Sequence, residues 1–273
     1  MIDLRQGDCL EVMKDIPDGS IDMVLTDPPY GTTACKWDSV IPFEPMWAEL
    51  KRIIKPNGVI VFTAAQPFTS ALVMSNPKMF KYCLVWDKKH GKAPGVAKYR
   101  PMPSHEDIVV FGRGKATYNP QMSAGKPYTD IRSSNKRLQN EHGFGYGKGF
   151  SIINKGERYP LSVVEIKTAP FRGQHPTQKP VPLMEYLIKT YTNEGETVLD
   201  FTMGSGSTGV AAKNLNRNFI GIEISEEYFN ISVYLVPPRA SLSSIFCAAN
   251  ASLNTFIVVA YADDRSVCSP VCV

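Results

Sequence analysis

Three short runs in the chain hold residues whose types and spacing can do chemistry. Gly204-Ser-Gly-Ser-Thr-Gly209 has the form Gly-x-Gly-x-x-Gly, and Glu223 lies nineteen residues beyond its first glycine. Glycines let a backbone turn tightly against a ligand, and an acidic residue at the next strand end can hold ribose hydroxyls. Such a unit binds an adenosine-containing cofactor, and the glycines do not choose between NAD and S-adenosylmethionine. No Gly-Lys-Ser/Thr follows, which excludes a phosphate-binding P-loop. Asp27-Pro28-Pro29-Tyr30 directly follows an apolar run. Its prolines hold the backbone extended and stiff, fixing the Asp27 carboxylate and the Pro28 carbonyl. Two fixed acceptors beside the Tyr30 ring suit a planar group bearing an exocyclic amine. The third run, His175-Pro-Thr-Gln-Lys-Pro180, is polar and bracketed by prolines. His175 is a candidate general base, but the run reads better as a positioning element in which Thr177 and Lys179 offer donors.

These groups need elements to hold them. The short apolar runs 21–25, 59–62, 82–86, 107–111, 197–200 and 219–223 predict strands. Residues 43–54, 183–191 and 210–215 carry helical spacing, and Lys55-Pro-Asn-Gly58 reads as a helix stop and turn. Asp8 is placed to cap a helix over residues 10–14. Alternation of this kind argues for an α/β fold with a largely parallel sheet. Ligands of such sheets bind at the carboxyl edge, where the runs before Asp27 and before the glycines both end.

The chain has 273 residues, 43% hydrophobic and 21% charged, which supplies a core and excludes global disorder. Its net charge of +4 conceals an asymmetry, because residues 113–180 hold twelve Lys/Arg against four Asp/Glu. Residues 112–174 are also rich in Gly, Ser, Asn and Tyr, and they read as a long irregular insert that faces a polyanion. The N-terminal residues lack a basic stretch followed by an apolar one, so a cytoplasmic protein is expected. Six cysteines without a Cys-x-x-Cys pair predict reduced, partly buried thiols. Residues 235–273 differ in composition, with four charged residues and three cysteines. Their uncharged stretch 240–262 is interrupted by Asn250, Asn254 and four serines, and Cys268 and Cys272 lack a histidine partner. Neither a membrane helix nor a zinc site is expected there. The segment reads as an extension whose composition resembles translation out of the parent frame.

Taken together, Asp-Pro-Pro-Tyr, a basic middle, His-Pro-Thr-Gln-Lys-Pro and the late Asp200-x-x-x-Gly-x-Gly resemble an amino-group DNA methyltransferase of the permuted beta order. The resemblance covers about residues 1–234. It implies a Rossmann-like methyltransferase fold: a mostly parallel sheet, helices on both faces, a circularly permuted motif order and an inserted target-recognition region. Residues 1–111 would form the catalytic half, 112–174 the inserted region, 175–234 the cofactor-binding half and 235–273 an extension of no assigned role. S-adenosyl-L-methionine would lie between the glycine loop and the Asp-Pro-Pro-Tyr turn, bordered by Asp27. Asp200, Phe201, Gly204, Gly206 and Ser207 would cradle its methionine and ribose portions, with Thr208 close by. Glu223 would hold the ribose hydroxyls, Asp8 the adenine, and Thr177 and Lys179 the amino-acid end. Asp27, Pro28, Pro29 and Tyr30 would be catalytic, with no metal. Trp86-Asp-Lys88 and His105-Glu106 match recurring segments of the family without an assigned role.

The implied partner is double-stranded DNA, from which the target base is extruded before its amine is methylated. Tyr30 would stack on that base, while Asp27 and the Pro28 carbonyl accept hydrogen bonds from the amine during direct in-line transfer. Aspartate at the head of the motif favours adenine N6, with cytosine N4 as the alternative. No Pro-Cys pair supplies the thiolate that ring-carbon methylation of cytosine requires. An NAD-dependent oxidoreductase would share the glycine run and Glu223, but it leaves Asp27–Tyr30 and the basic insert unexplained. A second copy of the chain and a cognate restriction endonuclease are further partners that the resemblance brings into view.

Overall fold

A computed structural model describes residues 1–32, 38–91, 93–132, 150–168 and 178–237. The described residues belong to one compact unit, Met1–Arg239. In chain order they form β1 (Ile2–Gln6), α1 (Cys9–Val12), β2 (Ile21–Thr26), α2 (Phe43–Ile53), β3 (Ile54–Ala64), α3 (Phe68–Ser75), β4 (Phe80–Asp87), β5 (His105–Gly112), β6 (Ser123–Ala124), β7 (Tyr128–Arg132), β8 (Phe150–Asn154), β9 (Glu157–Arg158), β10 (Val163–Glu165), α4 (Val181–Tyr191), β11 (Thr197–Asp200), α5 (Ser207–Asn214), β12 (Asn218–Glu223) and α6 (Glu226–Leu235).

Eight strands make the central sheet in the order β1-β12-β11-β2-β3-β5-β4-β10. Only β5 runs against its neighbours, β3 and β4; the other pairs are parallel. A sheet covered on both faces needs apolar residues at consecutive positions, and these strands supply them. Along β3, Ile60 and Phe62 enter one core while Val59 and Val61 enter the other. Strand β5 repeats this with Val109 and Phe111 against Ile108 and Val110. The first core is closed by α2, whose Met46, Trp47, Leu50 and Ile53 recur at helical spacing, and by Phe68 and Leu72 of α3. The second is closed by Leu183, Leu187 and Ile188 of α4 and by Ala211 and Ala212 of α5.

Two sequence expectations change. Lys55–Gly58 is not a turn that separates α2 from a strand; it lies within β3 as an irregularity. Ile21 pairs with Ile54, but Met23 pairs with Val59, so the extra residues bulge beside Asp22. Lys55 donates to Asp22 Oδ1 at 2.6 Å, and a Cβ on Gly58 would lie 2.9 Å from the Asp22 carbonyl oxygen. Proline and glycine here accommodate a bulge rather than end a strand. The described residues of the stretch 112–174 are also more regular than its composition suggested. Strand β6 pairs with β9, β7 pairs with β8, and β10 joins the central sheet beside β4.

Candidate active site

Parallel strands bring their carboxyl ends to one edge of the sheet, and the reversed β5 brings its amino end to the same edge. Asp8 follows β1, Asp27 follows β2, and Asp200 and Glu223 close β11 and β12. Thr63 lies near the end of β3, Trp86 and Lys88 flank the last residue of β4, and Glu106 is the second residue of β5. All of these line one cleft of about 700 Å³, within the usual size of a small-molecule site.

At one end of the cleft, carboxylates organise the backbone. Glu223 is 8% exposed; its Oε2 accepts from Gly204 N and its Oε1 from Ser225 N, both at 2.8 Å. Asp200 accepts from Thr26 Oγ1 at 2.8 Å, Thr208 Oγ1 at 2.6 Å and Thr202 N at 3.2 Å. Burial pushes its carboxyl up from 3.8 to about 7, against those three hydrogen bonds, and Asp27 adds to the rise. Asp8 Oδ1 accepts from Leu10 N at 2.8 Å and so caps α1 from the cleft wall. Cys9 beside it has its thiol pushed up to about 12, first by burial and then by Asp8, which leaves a protonated thiol and no nucleophile.

At the other end, Asp27 collects donors from three elements. Its Oδ1 accepts from the Tyr30 hydroxyl at 2.5 Å and from Thr63 Oγ1, and its Oδ2 accepts from Lys179 Nζ at 2.6 Å. A carboxylate offers about four acceptor positions, so the described residues fill three and leave one on Oδ2. The Tyr30 ring stacks on Phe68 at 5.1 Å between centroids, and Lys179 Nζ lies over the ring at 5.9 Å from its centroid. Burial, then Asp27, holds the Tyr30 hydroxyl well above the ordinary tyrosine range. Asp38 accepts from Gly31 N at 2.8 Å and Thr32 N at 2.9 Å, fixing the chain as it leaves the turn.

The structure thus brings Asp8, Asp27, Pro28, Pro29, Tyr30, Lys179, Asp200, Phe201, Gly204, Ser207, Thr208 and Glu223 to one cleft. Phe201 sits at its base with the ring in the core, edge-on to Phe62. Gly206 does not line the cleft. It precedes α5 with φ 87°, a left-handed turn that a side chain resists, and a Cβ there would lie 3.1 Å from Ser232 Cβ. Thr177 and His175 lie outside the described residues. Lys179 holds Asp27 rather than standing apart from it as a cofactor contact alone. The hydroxyls of Thr26, Thr63 and Thr202 were not singled out from the sequence. Thr26 directly precedes the Asp-Pro-Pro motif and Thr202 lies inside the glycine run's lead-in, but nothing local marks Thr63.

Among the described residues no group of three or more His, Cys, Asp or Glu could hold a metal ion. No described helix is long and apolar enough to cross a membrane. The Type II methyltransferase M1.MboII of Moraxella bovis is 27% identical over 252 residues, covering 83% of this chain and 93% of that protein. The Type II methyltransferase M.HpaI of Haemophilus parainfluenzae is 29% identical over 247 residues, covering 83% and 71%. Among solved structures, the M1.HpyAVI–SAM complex superposes with a TM-score of 0.61 at 26% identity, over 87% of this chain and 100% of that one. The cytosine-N4-specific PvuII DNA methyltransferase shares the fold, with a TM-score of 0.61 at 18% identity over 87% of each chain. The family profile of N6/N4 methyltransferases, described as DNA methylases, matches residues 21–234. An oxidoreductase is thereby set aside: the chain belongs to the N6/N4 DNA methylase family.

Proposed function

We propose that the protein transfers a methyl group from S-adenosyl-L-methionine to the exocyclic N6 of adenine in DNA. The observation that carries this reading is Asp27, a carboxylate held by three donors with one acceptor position left in the cleft. The opposite end of the cleft fits the cofactor by its donor chemistry. Asp8, Asp200 and Glu223 make it acidic, and the cleft lysines, Lys88 and Lys179, are engaged by carboxylates. A pyrophosphate would be repelled there, whereas a ribose and a cationic sulfonium are favoured. S-adenosylmethionine supplies an electrophilic methyl group when bound. Glu223 would meet the ribose hydroxyls, Asp8 the adenine, and the segment 200–208 the remainder.

The chain's own residues do the rest. The target base is extruded into the cleft and stacks against Tyr30. Asp27 Oδ2 and the Pro28 carbonyl accept the two amine hydrogens. An aromatic amine is a weak nucleophile because its lone pair is shared with the ring. Holding both N–H bonds out of the ring plane localises that pair toward the methyl group, and orientation with fixed charge supplies most of the acceleration. The new N–C bond would form as the bond from that carbon to sulfur breaks, neutral S-adenosylhomocysteine would leave, and the methylated amine would release one proton to solvent. Aspartate rather than serine at position 27 favours adenine. The test is transfer of labelled methyl groups to unmethylated DNA, followed by nucleoside analysis. N6-methyl-2′-deoxyadenosine is expected, lost about 100-fold or more in Asp27→Ala while the cofactor still binds. N4-methylcytosine would overturn the target base, and label in RNA or protein alone would overturn the DNA substrate.

A further inference from the structure

Behind Asp27 runs a row of ionisable side chains that alternate in sign and come from separate elements. Lys179, just before α4, donates to Asp27 Oδ2 at 2.6 Å and lies 3.4 Å from Glu106 Oε2. Lys88, just after β4, pairs with Glu106 Oε1 and sits 5.0 Å over the Trp86 ring. Trp86 and Glu106 are register partners on β4 and β5. The lysines are 8% and 10% exposed at the side chain and Glu106 is 16% exposed. Glu106 Oε2 is buried and accepts no hydrogen bond among the described residues. Burying four charges brings little net stability, so such a row at a cleft floor needs a reason in the site.

Geometry supplies one. Tyr30 and Thr63 hold only Oδ1 of Asp27, which leaves the carboxylate free to turn about its bond. Lys179 fixes Oδ2 and so decides where the remaining acceptor position points. A lysine stem is flexible, and Glu106 is the second carboxylate that keeps Nζ on this line. Lys88 in turn balances Glu106. Burial works against the Lys179 charge, but Asp27 and Glu106 outweigh it and keep the ammonium protonated.

We propose that Lys179 and Glu106 are positioning residues for methyl transfer, Lys179 setting the rotation of the Asp27 carboxylate and Glu106 setting Lys179. The inference rests on Asp27 being the acceptor for the target amine. The groups facing Asp27 are Tyr30, Lys179, Glu106 and Asp200, with Lys88 one step behind.

The experiment compares Lys179→Met, Glu106→Gln and Glu106→Asp with the wild type in single-turnover methylation of DNA at saturating S-adenosylmethionine. Binding of S-adenosylhomocysteine is measured in parallel. Lys179→Met is expected to lower the saturated rate about 100-fold, beyond any change in cofactor-product affinity. Glu106→Gln is expected to lower it about tenfold because Lys179 is less well held, and Glu106→Asp, which keeps the carboxylate, to recover part of that loss. Where Lys179→Met does not fold, the Glu106→Gln rate and its recovery in Glu106→Asp decide. Unchanged saturated rates, or a loss carried wholly by cofactor affinity, overturn the inference and leave the proposed function standing. A folded wild type that labels no DNA overturns both.

Discussion

Asp200 shows how one side chain serves structure and chemistry with opposite demands on its proton. It ties the end of β2 through Thr26, the following loop through Thr202 and the first turn of α5 through Thr208. Burial raises its carboxyl from 3.8 to about 7, so the folded protein retains a proton that the unfolded chain has released. The stability contributed by that proton is fully present below pH 3.8 and is lost as pH rises through about 7. Thermal melts of the cofactor-free protein should therefore lose stability between about pH 4 and 7, and Asp200→Asn should remove that part of the slope. Cofactor affinity should run the other way, because a cationic ligand favours the ionised carboxyl. Calorimetry in two buffers of different ionisation heat should record proton release on binding near pH 6.5, absent in Asp200→Asn. A flat affinity from pH 6 to 8 would remove Asp200 from the cofactor's surroundings.

Elements position these groups by their ends, and the start of α5 is the tightest of those ends. Gly206 takes φ 87° and packs within reach of Ser232 and Val236, so a methyl group there strains the turn and pushes against α6. Gly206→Ala should cost about 2 kcal/mol in urea unfolding and weaken cofactor binding, although Gly206 does not line the cleft. The strands that carry Asp27, Asp200 and Glu223 were legible because each is a short, mainly apolar run with an acid at or just past its end. Strand β1 was not read, since its Ile2 and Leu4 alternate with charged residues over only five positions. Helix α3 was missed because it has no side-chain cap and no charge in its end turns. The bulge in β3 imitates a turn, because Pro56 and Gly58 serve either purpose. Asp27 and Lys179 meet across 152 positions, and no periodicity reports a contact made by the fold alone. Their motifs were visible, but the bond between them was not.

At the scale of the molecule, charge and strand order divide the labour. The basic stretch 113–180 contrasts with the acidic cofactor end of the cleft, and DNA is the polyanion it suits. DNA affinity should fall steeply with salt. Replacing the exposed Lys126 and Lys155 with Gln should reduce the log–log slope by up to about two, equally for all sequences. An unchanged slope would place DNA elsewhere. The strand order has a consequence of its own. Strand β2 stands in the middle of the row, with β1, β12 and β11 on one side and β3, β5, β4 and β10 on the other. On the proposed reading, the first group holds the methyl donor and the second surrounds the acceptor, and Asp27 sits on the line between them. Selection for a new target base can then act on β3, β4 and β5 while the donor's seat stays as it was. Descendants of such a scaffold are free to drift in what they mark long before they drift in what they spend.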